Sequence, residues 1–190
     1  SYPPKRKLAD IQTLIDEVLQ LLQYQGALAR ITIRKMYDDR VPELHLDAKK
    51  IKQVLINLIM NASYAMGKQG TLTLSTGLIP TGESMILDIK DTGCGIQTKD
   101  LARIFDPFYT TKPTDQGTGL GLSVSYGIIK NHGGDISVSS QAGEGSTFSI
   151  MLPLPLPHGV PNGRSANGYL DRNEDGDVEG DAAFGKDIGA

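Results

Sequence analysis

Residues 48–66 read AKKIKQVLINLIMNASYAM. Ile51, Val54, Leu55, Leu58, Ile59, Ala62 and Ala65 recur at the three- and four-residue spacing of one helical face. The stretch therefore predicts a helix over about 48–66, buried along that stripe. Asp47, just before it, is a natural N-cap. Asn57 and Asn61 stand four apart on this helix and share a face. Asparagine is a poor helix former and has no place in an apolar core unless its amide is paired. Alone, such a pair reads more simply as ordinary surface or capping amides. Read functionally, an amide oxygen here helps hold a hard cation such as Mg²⁺, which takes few protein oxygens and completes its shell from water and phosphates.

Upstream, Leu8, Ile11, Leu14, Ile15, Val18, Leu19 and Leu22 mark another helix that should end near Gly26. Ile31, Ile33 and Lys35 alternate as a strand, and Leu44-His45-Leu46 reads as a second, short one. Downstream, Thr71–Thr76 and Ser84–Lys90 alternate as strands around a turn at Thr81-Gly82-Glu83. A short helix is expected over 98–104 and a loop over 106–118. Gly119–Asn131 has helical spacing, stopped by Gly133-Gly134. Strands over 135–140 and 146–152 close a last hairpin. About three main helices and five or six hairpin-linked strands, with no internal repeat, predict an α/β sandwich with helices on one sheet face.

Three further segments carry chemistry. Asp91-Thr92-Gly93-Cys94-Gly95 follows a strand end. Its glycines let the backbone approach a flat ligand, and its carboxylate suits an exocyclic amine such as adenine's. An ordinary Asp-Gly turn has the same residues. Gly117-Thr118-Gly119-Leu120-Gly121-Leu122-Ser123 opens a helix, where exposed N–H groups and the positive helix end suit phosphate. No Lys-Ser/Thr pair follows, so it is not a Walker A loop, and its spacing is not that of a Rossmann turn. A plain glycine hinge remains the alternative. Before it, Phe105-Asp106-Pro107-Phe108-Tyr109-Thr110-Thr111-Lys112 offers aromatic anchors for a lid and a lysine within reach of a terminal phosphate, or simply a solvated loop lysine.

The 190 residues are 39% hydrophobic and 22% charged, with a formal net charge of −3. That is enough for a core, and it offers no overall basic field for nucleic acid. One cysteine excludes an internal disulfide framework and a multi-cysteine metal site. No apolar run reaches about 18 residues, and the N-terminal SYPPKRKLAD has no apolar stretch behind its basic residues, so neither a membrane span nor a signal peptide is expected. A cytoplasmic setting is the default. Residues 153–190 hold 3 basic and 7 acidic side chains, with 7 glycines and 4 prolines. The chain thus divides into a linker (1–7), a folded domain (8–153) and an acidic Gly/Pro-rich tail or linker (154–190) expected to be disordered. In that tail Asp171, Asn173, Asp175, Gly176 and Asp177 match half of a calcium loop, but Ala182 stands where the bidentate Glu belongs, so a plain acidic linker is the favoured reading. Cys94 is the one reactive-thiol candidate and reads more simply as an inert small loop residue.

The order of these segments resembles the catalytic ATP-binding domain of sensor histidine kinases, within the wider gyrase, heat-shock-90, histidine-kinase and mismatch-repair ATPase superfamily. The match runs from about 8 to 152. It comprises an N box (Gln53–Ala62), a first glycine box (Asp91–Ile96), an F box (Ile104–Lys112), a second glycine box (Gly117–Ser123) and the closing Gly145-Ser146-Thr147-Phe148 and Leu152-Pro153. Ala65-Met66 and Phe108-Tyr109-Thr110-Thr111-Lys112 look most like the nitrogen-regulatory type. The resemblance implies a Bergerat-type fold: a mixed, mostly antiparallel sheet covered on one face by about three helices. It implies ATP and Mg²⁺ as cofactors. Asn61 would coordinate Mg²⁺, with Asn57 supporting phosphate or metal. Asp91 would bind the adenine amine in a pocket shaped by Gly93, Gly95 and Ile96, and Thr147 would assist. Phe105 belongs to the lid. Gly117, Thr118, Gly119, Leu120, Gly121 and Leu122 would wrap the phosphates, and Lys112 would contact the γ-phosphate. Many relatives carry Lys, Arg or His where this chain has Tyr64, which puts a charged contact from that position in doubt.

Superfamily members that hydrolyse ATP use a Glu one helical turn before the metal Asn. Here Asn57 holds that place and cannot take a proton, which favours a phosphoryl donor. The resemblance implies as partners a dimerisation and histidine-phosphoacceptor domain and, indirectly, a response regulator. None of His45, His132 and His158 lies in an acceptor-type motif. A serine kinase of the anti-sigma type on the same fold, and a non-catalytic nucleotide-binding module, are the alternatives.

Overall fold

The computed structural model describes residues 5–67, 69–113 and 117–155, within the compact unit Ser1–Leu156. The acidic tail beyond, with its calcium-like motif, lies outside the described residues.

The chain begins with a short strand, β1 (Lys7–Ala9), and then α1 (Ile11–Tyr24). Leu8 does not extend the helical stripe. The Asp10 carboxylate accepts from Gln12 N (3.0 Å) and Thr13 N (3.3 Å) and so starts the helix at Ile11. Leu8 instead pairs with His45, and its side chain is exposed. β2 (Ile31–Met36) and β3 (Leu44–Leu46) follow, and β3 pairs antiparallel with β1. Next comes α2 (Ala48–Ala65), N-capped by Asp47 through Lys50 N (3.2 Å). Its predicted stripe is buried from Ile51 to Ala62; Ala65, expected in the core, is only half-buried. Each fully buried Val, Leu or Ile side chain there contributes about 1.5–3 kcal/mol.

β4 (Gly70–Leu78) and β5 (Ser84–Asp91) form the predicted hairpin. The short α3 (Thr98–Leu101), α4 (Gly121–Asn131), β6 (Asp135–Gln141) and β7 (Gly145–Pro153) complete the described part. The main sheet runs β2-β4-β5-β7-β6, with β2–β4 parallel and every other pairing antiparallel. α2 packs on α1, α4, β5 and β7, and α4 also meets β6. Alternation decides which side chains meet these helices. Leu72 and Leu74 of β4, Leu87 and Ile89 of β5, and Phe148 and Ile150 of β7 point inward. Arg34, Thr73, Ser75, Asp88 and Lys90 line the opposite, polar face. His132 ties the helical layer together. Its Nε2 accepts from Asp47 N (3.0 Å), and its Nδ1 lies 2.8 Å from the Ile128 carbonyl. Both ring nitrogens are thus engaged and the residue is buried.

Candidate nucleotide site

The C-terminal turns of α2, the end of β5, the start of α4 and the loops between them enclose a cavity of about 520 Å³. That is within the range of small-molecule sites, about 300–1,000 Å³. Asn61, Ala65 and Asp91 all line it.

Asp91 is the last residue of β5 and is almost fully buried. Its Oδ1 accepts from Gly93 N (2.8 Å) and Ser146 N (3.3 Å). Burial pushes its carboxyl above the usual carboxylate range, against those two N–H groups, which pull it down. Oδ2 has no partner among the described residues, and no buried side-chain oxygen there is left unsatisfied, so it is open to a donor in the cavity. A buried acceptor of this kind selects ligands that bring an N–H.

The first glycine box is clamped on both sides. Cys94 N donates to Ala65 O (3.0 Å), and Gly143 N donates to Cys94 O (2.7 Å). Ile96 N donates to Ser140 Oγ (2.8 Å), which also lies 2.9 Å from Ser146 Oγ. Gly95 has φ +68°, and a Cβ there would lie 2.1 Å from Gln141 O. Gly93 presses on Ala65 and does not line the cavity, whereas Gly95 and Ile96 do.

In the F box, Ile104 is buried and the Phe105 ring packs on Tyr126 of α4, with centroids 5.7 Å apart. Phe105 thus anchors the loop and stays outside the cavity lining. Tyr109 Oη donates to Asp100 Oδ1 (2.8 Å). Phe108 is exposed in the left-handed region (φ +66°), and its N–H donates to Gly119 O (2.9 Å). Gly119 (φ +67°) would place a Cβ 2.3 Å from the Phe108 carbonyl carbon, so this glycine answers to the F-box backbone. Gly117 likewise sits against Thr110 and Lys112. Gly117, Thr118, Gly119, Gly121 and Leu122 line the cavity; Leu120 is exposed outside it. α4 begins without a side-chain cap, which leaves its first N–H groups available to an anion.

Asn57 and Thr147, like Gly93, Phe105 and Leu120, lie outside the cavity lining. Asn57 Nδ2 donates to Gly121 O (3.2 Å) and Ser125 Oγ (3.3 Å), bracing α2 against the start of α4. Thr147 lies on the far, polar face of the sheet with Lys90 and Arg34. Its neighbours Ser146 and Phe148 point into the cavity instead. Strand alternation explains the correction: with Phe148, Ile150 and Leu152 buried, Ser146 shares their side and Thr147 cannot. That signal is present in the sequence. Tyr64, Tyr109 and Asp100 also line the site, and no motif pointed to Asp100.

Lys112 is brought to Asn61. Its Nζ donates to Asn61 Oδ1 (2.8 Å) and lies 4.3 Å from the Tyr64 ring centroid. Burial pushes the ammonium below the usual lysine range. Asn61 offers one neutral hard oxygen, already in contact with a cation. This fits a metal that takes most of its shell from phosphate and water.

The family model described as "Histidine kinase-, DNA gyrase B-, and HSP90-like ATPase" matches residues 46–156. The sensor histidine kinase ZraS of Escherichia coli K12 is 38% identical over 154 residues, covering 81% of this chain and 32% of ZraS. The chain thus spans about a third of that relative. Among solved structures, the catalytic domain of histidine kinase ThkA superposes with a TM-score of 0.68 at 32% identity, covering 78% of this chain and 95% of that domain. Full-length ShkA in complex with AMPPNP superposes with a TM-score of 0.68 at 27% identity, covering 78% and 31%.

Proposed function

The chain belongs to the histidine kinase-, DNA gyrase B- and HSP90-like ATPase family, and on that footing we propose that it binds ATP with Mg²⁺ and donates the γ-phosphate to a histidine on a separate phosphoacceptor domain. The observation that carries this reading is the Asp91 carboxylate. It is buried, held by two backbone N–H groups, and keeps one oxygen open in the same cavity as the uncapped start of α4 and the Asn61–Lys112 pair.

Asp91 Oδ2 accepts the adenine amine. Ser146 assists by holding Asp91 through its backbone N–H. The N–H groups at the start of α4, with Gly119 and Gly121, receive the phosphates. Asn61 Oδ1 is the protein ligand for Mg²⁺, which when bound neutralises phosphate charge. Lys112 meets the γ-phosphate. Asn57 acts through α4, as a positioning residue. No carboxylate stands one turn before Asn61 to activate water, so the reading is a donor rather than a hydrolase. Phe108, Leu120 and Val124 are exposed, and Phe108 and Gly119 are backbone neighbours. This apolar rim beside the phosphate end suits a helical hairpin presenting an imidazole for in-line attack, with a response regulator downstream.

We assign residues 8–153 to this ATP-binding domain and 154–190 to a linker; the family match and the compact unit both end at 156. The nitrogen-regulatory subtype rests on Ala65-Met66 and Phe108–Lys112 alone. No described helix is long and apolar enough to cross a membrane, and a donor that draws on cellular ATP belongs in the cytoplasm.

Calorimetric titration with ATP, with and without Mg²⁺, tests the reading. Saturable, Mg²⁺-dependent binding without continuing heat is expected. Sustained turnover heat would make it a hydrolase, and no binding would make it a degenerate module. With a hairpin partner added, the transferred phosphate should be acid-labile; an acid-stable phosphoserine would favour the serine-kinase alternative.

A further inference from the structure

Asn61 and Tyr64 stand three apart on α2 and so share a face of the helix. Lys112, from the loop after α3, reaches both. Its ammonium donates to Asn61 Oδ1 at 2.8 Å and sits 4.3 Å from the centre of the Tyr64 ring. The ring presents its negative face to the cation, which fixes where the end of a flexible four-carbon stem rests. Gly117 closes the arrangement from the other side, since a Cβ there would lie 3.0 Å from Lys112 Cβ.

We propose that Tyr64 is a positioning residue for Lys112, and that in the nucleotide-free chain the seated ammonium occupies the Asn61 oxygen until a nucleotide-borne metal ion exchanges for it. The metal half of this inference rests on the reading of Asn61 given above. An amide oxygen and an aromatic face are both neutral, so they hold an ammonium without trapping it. A doubly charged ion that needs the same oxygen displaces it. The displaced Lys112 is then released beside the incoming phosphates. A positive charge is thus delivered from the facing loop onto an aromatic seat on α2.

Hydrogen–deuterium exchange over residues 105–113 and 117–120 reads the seat directly, without any reaction. In the nucleotide-free chain, Tyr64→Leu should speed exchange about fivefold, the worth of one partly exposed cation–π contact. Tyr64→Phe, which keeps the ring, should exchange like the parent. In a Lys112→Met background, Tyr64→Leu should add nothing. With Mg²⁺–AMPPNP at saturation, the difference between Tyr64→Leu and the parent should vanish, because Lys112 has left. Equal effects of Leu and Phe, or a Tyr64→Leu effect that survives in Lys112→Met, would overturn the seat. A Tyr64→Leu effect that persists unchanged with Mg²⁺–AMPPNP would overturn the exchange. If AMPPNP fails to bind, the proposed function and the exchange fall together, while the nucleotide-free comparisons still decide the seat.

Discussion

Gly95→Ala is expected to damage both the fold and the nucleotide site. The new Cβ would lie 2.1 Å from Gln141 O, 2.8 Å from Gln141 C and 3.1 Å from Ala142 Cα, all backbone atoms. No rotamer relieves this, so the loop must move off the β6–β7 hairpin. Movement puts at risk the bonds Gly143 N–Cys94 O (2.7 Å) and Ile96 N–Ser140 Oγ (2.8 Å). The left-handed backbone (φ +68°) costs an alanine about 1–2 kcal/mol, and one lost hydrogen bond adds about 1 kcal/mol. The total is roughly 2–3 kcal/mol. Gly143→Ala is the control: its φ is +87°, but a Cβ there meets nothing within 4 Å. It should lose only the conformational part, about 1–2 kcal/mol. Urea unfolding measures both, and calorimetry with ATP follows. Gly95→Ala should weaken ATP at least tenfold, because Gly95 and Ile96 line the cavity, while Gly143→Ala should change affinity less than threefold. Equal destabilisation by the two, or full ATP affinity in Gly95→Ala, would refute the clamped-wall argument.

Asp91→Asn should lose ATP binding in calorimetry yet raise the melting temperature of the nucleotide-free chain at pH 7. Burial raises the Asp91 pKa above 3.8, so its favourable contribution is complete below that value and is lost as pH rises through the folded one. The gain should therefore shrink toward pH 4, and destabilisation at pH 7 would contradict it. Asn57→Ala removes two hydrogen bonds to α4 and should cost about 1–2 kcal/mol in urea unfolding. Abolished phosphotransfer with unchanged stability would return Asn57 to the reacting groups. Thr147→Val should leave ATP affinity within twofold, whereas Ser146→Val, which keeps the backbone N–H to Asp91 but breaks the side-chain contact to Ser140, the residue that holds Ile96 N, should weaken it severalfold. The reverse order would restore Thr147.

The helices were the most legible part because their stripes are local. Ile51 to Ala62 needed only periodicity, and Asp47 only its place before them. The start of α1 differs from the periodicity because Leu8 has the right spacing but the Asp10 carboxylate decides where the helix begins. β1 is illegible in the sequence because three residues show no period, and the strand exists through its pairing with β3. The parallel β2–β4 pairing was likewise illegible, being set by packing between distant segments. In the site, the boxes fall on loops around one cavity, but not every side chain they name lines it. Thr147 lost to Ser146 through alternation, and Asn57 turned toward α4 because Ser125 and Gly121 lie opposite it. The Lys112–Tyr64 contact joins two elements no motif connects.

Phe108 carries a consequence for protein engineering. It holds a bulky ring in water on a left-handed backbone, an arrangement worth about 1–2 kcal/mol against the fold. A library screened for heat resistance alone would therefore discard it, with Phe108→Gly among the first substitutions recovered. The surviving clones would melt later and, on the proposed function, meet an acceptor hairpin less well. Directed evolution of this chain needs a transfer-based screen beside the thermal one, or it will select away the surface proposed for phosphate departure.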